Sequence, residues 1–198
     1  TEIDSHIGRI LKTLEEEGLR ENTIVVYASD HGDFVGRHGM IEKCALGHNV
    51  YEDTLRIPLM ISYPGHVQQA RTIAELTEMF QVYPTLLELA GIELARTHTI
   101  DAASLASVLL GGNMKRREYI VSENWSQASV ITEGHKLGIW LDRTEYARDR
   151  DFKSFGDMLF DRTMDPDEVH NMIGDPAYEQ VEKQLRGYYD EFTRANPA

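Results

Sequence analysis

Apolar residues fall at helical spacing at both ends of the chain and in short strand-like runs between them. At the start, Ile3, Ile7, Ile10, Leu11 and Leu14 recur three or four residues apart, the spacing of one apolar helix face. It predicts a helix over about 3–17, ended by Gly18, a residue suited to the left-handed position after a helix. After the turn Asn22-Thr23, residues 24–28 (IVVYA) are continuously apolar and rich in β-branched side chains. That is the mark of a strand covered on both faces. Helix, tight loop and buried strand together read as the αβ half of a parallel-sheet unit.

The pattern then lapses. Residues 32–49 carry four glycines and read as loop. VYEDTLR (50–56) predicts a short helix or turn, and IPLMISYPG (57–65) a second buried strand closed by Pro64-Gly65. Pro58 would stand at that strand's start, where a missing N–H matters least. A helix is expected over about Tyr83 to Ala90, with Pro84 in its first turn and Gly91 at its end. A short helix and a polar linker follow within 101–118, the best internal boundary.

Beyond it, EYIVSE, ASVIT, KLGIW and DMLFD are short runs separated by turn residues, as in an antiparallel sheet. Gly134-His135 is the expected hairpin tip between the second and third. A closing amphipathic helix spans 175–195, started at Asp175-Pro176. Its apolar face is Tyr178, Val181, Leu185, Tyr188, Tyr189 and Phe192. The reading is an α/β portion over 1–112 and an antiparallel subdomain with a closing helix over 113–198.

The 198 residues suffice for one sizeable core or two unequal ones. No apolar run approaches the roughly 20 residues needed to cross a bilayer. Lys and Arg number 20 against 33 Asp and Glu, a formal charge of −13. That balance argues against nucleic acid or an anionic membrane as partner, but not against a small anion held by one lysine. Cys44 is the single cysteine, so neither an intrachain disulfide nor a cysteine-based zinc cluster is expected. One cysteine is compatible with the cytoplasm, but the compartment is left open. The chain opens directly in helix pattern without Met or leader, so a piece of a longer enzyme is expected.

The chemistry concentrates where the first strand stops. Ligands of α/β sheets bind beyond the carboxyl ends of strands, and Asp30 and His31 sit at such an end. Neighbouring strand residues point to opposite faces, so both reach one ion only where the backbone curls away, as Gly32 permits. A carboxylate oxygen and an imidazole nitrogen then form a metal corner. The plainer reading is an Asx-turn with a histidine bonded to backbone. Taken singly, Lys43 reads as a solvated lysine, His38 and His48 as structural loop histidines, and Cys44 as a small apolar residue. Asp165-Pro166-Asp167-Glu168 reads as a solvated turn.

In order, the stretches IVVYASDHGDFVGRHGMIEK, YEDTLRIPLMISYPG, VYPTLLELAGI and SLASVLLGG closely resemble the carboxy-terminal half of the sulfatase family. That family belongs to the alkaline-phosphatase-like superfamily. The opening helix and the tail DMLFDRTMDPDEVHNMIGDPAYEQVEKQL are similar to family patterns as well, so the resemblance covers nearly the whole chain. It implies the carboxy-terminal part of an α/β/α sandwich plus a small antiparallel subdomain.

By residue, the resemblance implies that Asp30 and His31 are ligands of one divalent metal. Calcium is the first choice, with magnesium, manganese or zinc as alternatives. It implies that Lys43 contacts the sulfate oxygens. From their place in the loop, His48, and with it Arg37, His38 and Asn49, are weaker candidates to face a substrate. Glu52 and Arg56 look like a structural ion pair. The C/S-x-P-x-R segment that yields the formylglycine nucleophile does not occur in this sequence. It is expected in an amino-terminal part, so the isolated chain should be inactive. Gln81 stands where the family commonly has Asp, which weakens the expected helix cap. The implied substrate is a small-molecule or sugar sulfate ester. A phosphonate or phosphate ester hydrolase and a non-catalytic module of the same fold are the alternatives. Cutting an α/β sheet exposes an edge and apolar faces, so self-association or pairing with the missing half is expected.

Overall fold

The computed structural model describes residues 2–43, 50–93, 102–124, 126–141 and 156–196. They form two compact units, residues 1–28 with 58–116 and residues 29–57 with 117–198. The loop and short helix over 29–57, which the sequence places with the first part, group with the second.

In the first unit, α1 spans Glu2–Glu16. Gly18 takes φ +67°, so the Leu19 N–H reaches the Leu14 carbonyl at 2.8 Å and the Gly18 N–H that of Glu15 at 3.1 Å. These two bonds satisfy carbonyls that the helix end would otherwise leave open. Strand β1 (Val25–Ala28) pairs with β2 (Leu59–Ser62) antiparallel, Val25 opposite Ser62 and Ala28 opposite Leu59. The sequence reading expects a parallel neighbour. A helix followed by a strand fixes neither the direction nor the identity of the strand beside it. Cover on both faces is not found either, since Tyr27 is 40 % and Met60 57 % exposed. An apolar run states which residues favour burial, not that this chain supplies the cover.

Helix α3 (Val82–Leu89) follows a single 3-10 turn, Met79–Gln81. Gln81 is not the cap of this turn but part of its capping box. Its Oε1 accepts the Glu78 N–H at 2.8 Å, closing a capping box with the Glu78 side chain, and its Nε2 donates to the Ala103 carbonyl at 3.0 Å. It serves as the third residue of the box, where Gln is favoured, rather than as the cap itself. Thr85 donates to the Gln81 carbonyl and accepts the Leu105 N–H at 2.8 Å, tying α3 to α4 (Ala106–Leu109). Gln81→Ala should therefore lower stability by about 1–2 kcal/mol, read as a shifted urea midpoint.

The second unit holds α2 (Glu52–Leu55) and a four-stranded antiparallel meander. Its strands are β3 (Ile120–Asn124), β4 (Gln127–Ile131), β5 (His135–Trp140) and β6 (Met158–Asp161), in that spatial order. The β4–β5 turn closes with the Thr132 N–H on the His135 carbonyl, so the tip is Glu133-Gly134, one residue before the expected one. Asp175 accepts the Ala177 N–H at 2.9 Å and starts the turn into α5 (Glu179–Ala195). Leu185 of α5 is buried with Val130, Leu137 and Leu159, and Tyr178, Val181, Tyr188 and Tyr189 pack around them. Leu185, Tyr178, Val181, Tyr188 and Tyr189 are five of the six residues of the predicted face; the sixth, Phe192, stacks on Tyr189. A second core of Val50, Met158 and Phe160 lies under Tyr51. Val50 approaches Gly138 so closely that a Cβ there would stand 2.8 Å from its Cγ1.

Candidate metal corner

Asp30 and His31 follow the last residue of β1 by two and three positions. Their conformation is fixed locally. The Ser29 hydroxyl donates to the His31 carbonyl at 2.7 Å, and the His31 N–H donates to Asp30 Oδ1 at 3.1 Å. The Gly32 N–H donates to the Thr54 carbonyl of α2 at 2.9 Å. Only glycine fits at that point, because a Cβ would lie 1.9 Å from the Asp53 carbonyl oxygen. Sequence reasoning asked Gly32 for conformational freedom; its φ is not left-handed, and what requires glycine here is the close approach of the α2 backbone.

The histidine ring is set by its Nδ1, which lies 2.8 Å from the Gly32 carbonyl. A carbonyl only accepts, so in the neutral ring the proton sits on Nδ1 and the Nε2 lone pair is free to bind. That nitrogen lies 3.5 Å from Asp30 Oδ2. Two donors about 2.0–2.5 Å from one ion stand about 3.0–3.5 Å apart, so the pair fits one ion. Asp30 is 85 % exposed and His31 40 % at the side chain, which leaves the corner accessible. The Asp30 carboxyl is held below its usual pKa, chiefly by its own backbone N–H. The charged form a metal needs is therefore favoured. Among the described residues no third His, Cys, Asp or Glu joins the pair.

Lys43 is brought near Asp30 by a loop that closes on itself. The Phe34 N–H donates to the Glu42 carbonyl at 2.8 Å and the Gly36 N–H to that of Met40 at 2.9 Å, with Phe34 fully buried. Arg37 and His38 are used up in this loop. Arg37 pairs with Asp53 at 2.9 Å and Asp167 at 2.6 Å, and His38 Nε2 lies 3.4 Å from Asp53 with its ring over Tyr51. Cys44, His48 and Asn49 lie outside the described residues.

Two sequence expectations are corrected here. Glu52 does not serve an ion pair with Arg56. Its Oε1 lies 3.4 Å from Lys136 Nζ and its Oε2 3.1 Å from Arg162. The Asp165–Glu168 turn is not merely solvated, because Glu168 is buried and ion-pairs with a fully buried Lys136. Burial pushes the Lys136 ammonium and the Glu168 carboxyl toward their neutral forms, lowering one pKa and raising the other. Burial acts to raise Glu52 too, but Lys136 and Arg162 outweigh it and hold that carboxyl below its usual value. Sequence reasoning missed this group of four. Its one local signal was a lysine inside KLGIW, on the strand face shared by Gly138 and Trp140.

Known proteins resemble this chain in sequence and fold. A family model described as Sulfatase matches residues 1–92. An N-acetylglucosamine-6-O-sulfatase of Bacteroides thetaiotaomicron is 31 % identical over 96 % of this chain and 33 % of its own length. A solved structure described as in complex with its substrate D-glucosamine-2-N,6-O-disulfate superposes with a TM-score of 0.80 and 27 % identity, over 97 % of this chain and 38 % of that one. The fold is shared with the phosphonate monoester hydrolase of Agrobacterium radiobacter, TM-score 0.75 at 22 % identity, over 98 % of this chain and 38 % of that one. The chain spans about a third of the length of the curated relatives it matches.

Proposed function

Taking the chain as a member of the sulfatase family, with the alkaline-phosphatase-like fold, we propose that it is the carboxy-terminal part of a sulfuric ester hydrolase. The carrying observation is the Asp30–His31 corner, two converging donors with the imidazole tautomer fixed for ligation. These two residues would hold one divalent ion, calcium first, with magnesium, manganese or zinc as alternatives. Bound there, such an ion supplies Lewis acidity toward oxygen charge in the transferring group. Lys43 would add a fixed positive charge for the anion's oxygens. The attacking group lies outside this sequence, which holds no C/S-x-P-x-R segment. A sulfated amino sugar is the substrate class supported by the relative's name and by the ligand of the similar structure.

Residues 1–198 alone should show no turnover of an aryl sulfate and only weak metal affinity, and millimolar-substrate turnover by this chain would sink the divided-site reading. In the complete protein, Asp30→Ala and His31→Ala should each lower kcat/KM more than about a hundredfold, beyond the loss typical of residues behind the ligands. Activity that survives exhaustive chelation, or alanine variants as active as wild type at saturating metal, would refute the metal assignment. Faster turnover of a phosphonate or phosphate ester than of the sulfate ester would move the protein to the other hydrolase class of this fold.

A further inference from the structure

We propose that the buried Lys136–Glu168–Glu52 network is the positioning device of the Asp30–His31 corner, an inference that rests on the metal reading of that corner. Lys136 sits in β5, between β4 and β6, opposite Ile131 on one side and Phe160 on the other. From this rigid point its ammonium holds two carboxylates, Glu168 and Glu52, over the Phe160 ring. Arg162 balances the second, so the four charges sum to zero.

Two lines run from the network to the corner. In the first, Glu168 Oε2 accepts the backbone N–H of Glu52 at 2.8 Å, fixing the start of α2. Two residues on, Thr54 offers the carbonyl that receives the Gly32 N–H, and the Asp53 carbonyl fills the space a Gly32 side chain would need. In the second, Asp167 and Asp53 share the Arg37 guanidinium, which joins the 165–168 turn to α2 a second time. Glu168 adopts φ +54°, unfavourable for a residue with a Cβ, and this backbone turns its carboxylate inward. Apolar packing of the same volume would be at least as stabilising as a buried ion network. What the charges add is direction: each oxygen has one partner, so α2 has one seat. Lys136, Glu168 and Glu52 touch neither ion nor substrate; they act through Gly32 on the spacing of the two donors.

The test uses the 198-residue chain, 15N-labelled, with Mn2+ as a paramagnetic probe that reports weak sites. Wild type should show broadening centred on the Asp30 and His31 amides, lost in Asp30→Ala. The double variant Lys136→Met/Glu168→Leu removes the network's buried pair and leaves Glu52 to Arg162, so the fold has no unpaired buried charge. It should need about 10–100-fold more Mn2+ for the same broadening, and its Gly32 amide should exchange at least about tenfold faster relative to the β4–β5 amides. Leu185→Ala, a core truncation in the same unit, separates positioning from general loosening, because it should leave the Mn2+ requirement and the relative Gly32 exchange unchanged. Wild-type Gly32 exchange and Mn2+ response in the double variant would overturn the positioning role while leaving the metal reading intact. Equal loss of Mn2+ response in Leu185→Ala would overturn it too. Absence of Asp30-dependent broadening in wild type would instead defeat the metal reading and with it this role.

Discussion

Lys136→Met should destabilise the second unit by about 3–5 kcal/mol, the usual cost of removing one partner of a buried ion pair. The side chains are of similar length, so lost packing contributes little. The loss comes from Glu168, which is buried and in the wild type has Lys136 as its ion-pair partner. Glu52 retains Arg162 and suffers less. The pH dependence identifies the cause. Burial already raises the Glu168 pKa above its ordinary value of 4.5, and Lys136 is the largest influence opposing the rise. Without the lysine the folded-state pKa climbs further, so the folded state binds a proton that the unfolded state releases. Stability then falls as pH rises from the ordinary carboxyl range through that raised value. Urea unfolding followed by circular dichroism should show the deficit largest at neutral pH and shrinking toward pH 4.5. A pH-independent deficit would assign the loss to packing. Lys136→Met/Glu168→Leu should recover most of the stability, since no unpaired charge remains.

These buried charges also mark the limit of what could be read along the chain. Helical periodicity located α1 and α5, and short runs bounded by turn residues located the four strands of the meander, because each is a local pattern. Gly18, Pro84 and Asp175 marked ends because their conformational preferences act within a turn. Asp30, His31 and Gly32 were legible for the same reason: strand end, donors and curl lie within three residues. The network was not, because Glu52 lies 84 residues from Lys136 in sequence and 110 from Arg162. No local rule distinguishes a Glu that reaches across that separation from one paired four residues away. Gln81 failed differently: its role depends on where the turn begins, and shifting the cap to Glu78 turns a poor cap into a good third residue. The direction of the β1–β2 pairing depends on which strands lie alongside, which the residues of the strands themselves do not encode.

Gly32→Ala is the substitution expected to damage the corner most. The new Cβ would stand 1.9 Å from the Asp53 carbonyl oxygen, 2.8 Å from its carbon and 3.1 Å from the Thr54 Cα. All three are backbone atoms, so no side-chain rotation relieves the clash, and the loop must lift off α2. Lifting breaks the Gly32 N–H bond to the Thr54 carbonyl. The sum is about 1–3 kcal/mol for overpacking and about 1 kcal/mol for the hydrogen bond. The larger consequence is positional. His31 Nδ1 is oriented by the Gly32 carbonyl, so moving that peptide turns the imidazole and spoils the 3.5 Å spacing of Nε2 and Asp30 Oδ2. In a Mn2+ titration the Asp30 and His31 amides should lose their broadening at concentrations where wild type is saturated, while the β4–β5 amides keep their wild-type shifts. Gly8→Ala supplies the contrast: it lies within α1 with nothing within 4 Å of the added Cβ. It should raise stability by about 0.5–1 kcal/mol and leave the Mn2+ response alone. If Gly32→Ala bound Mn2+ as wild type does, the corner would not depend on its seat against α2, and the packing account of how this sequence aims two adjacent side chains at one point would fail.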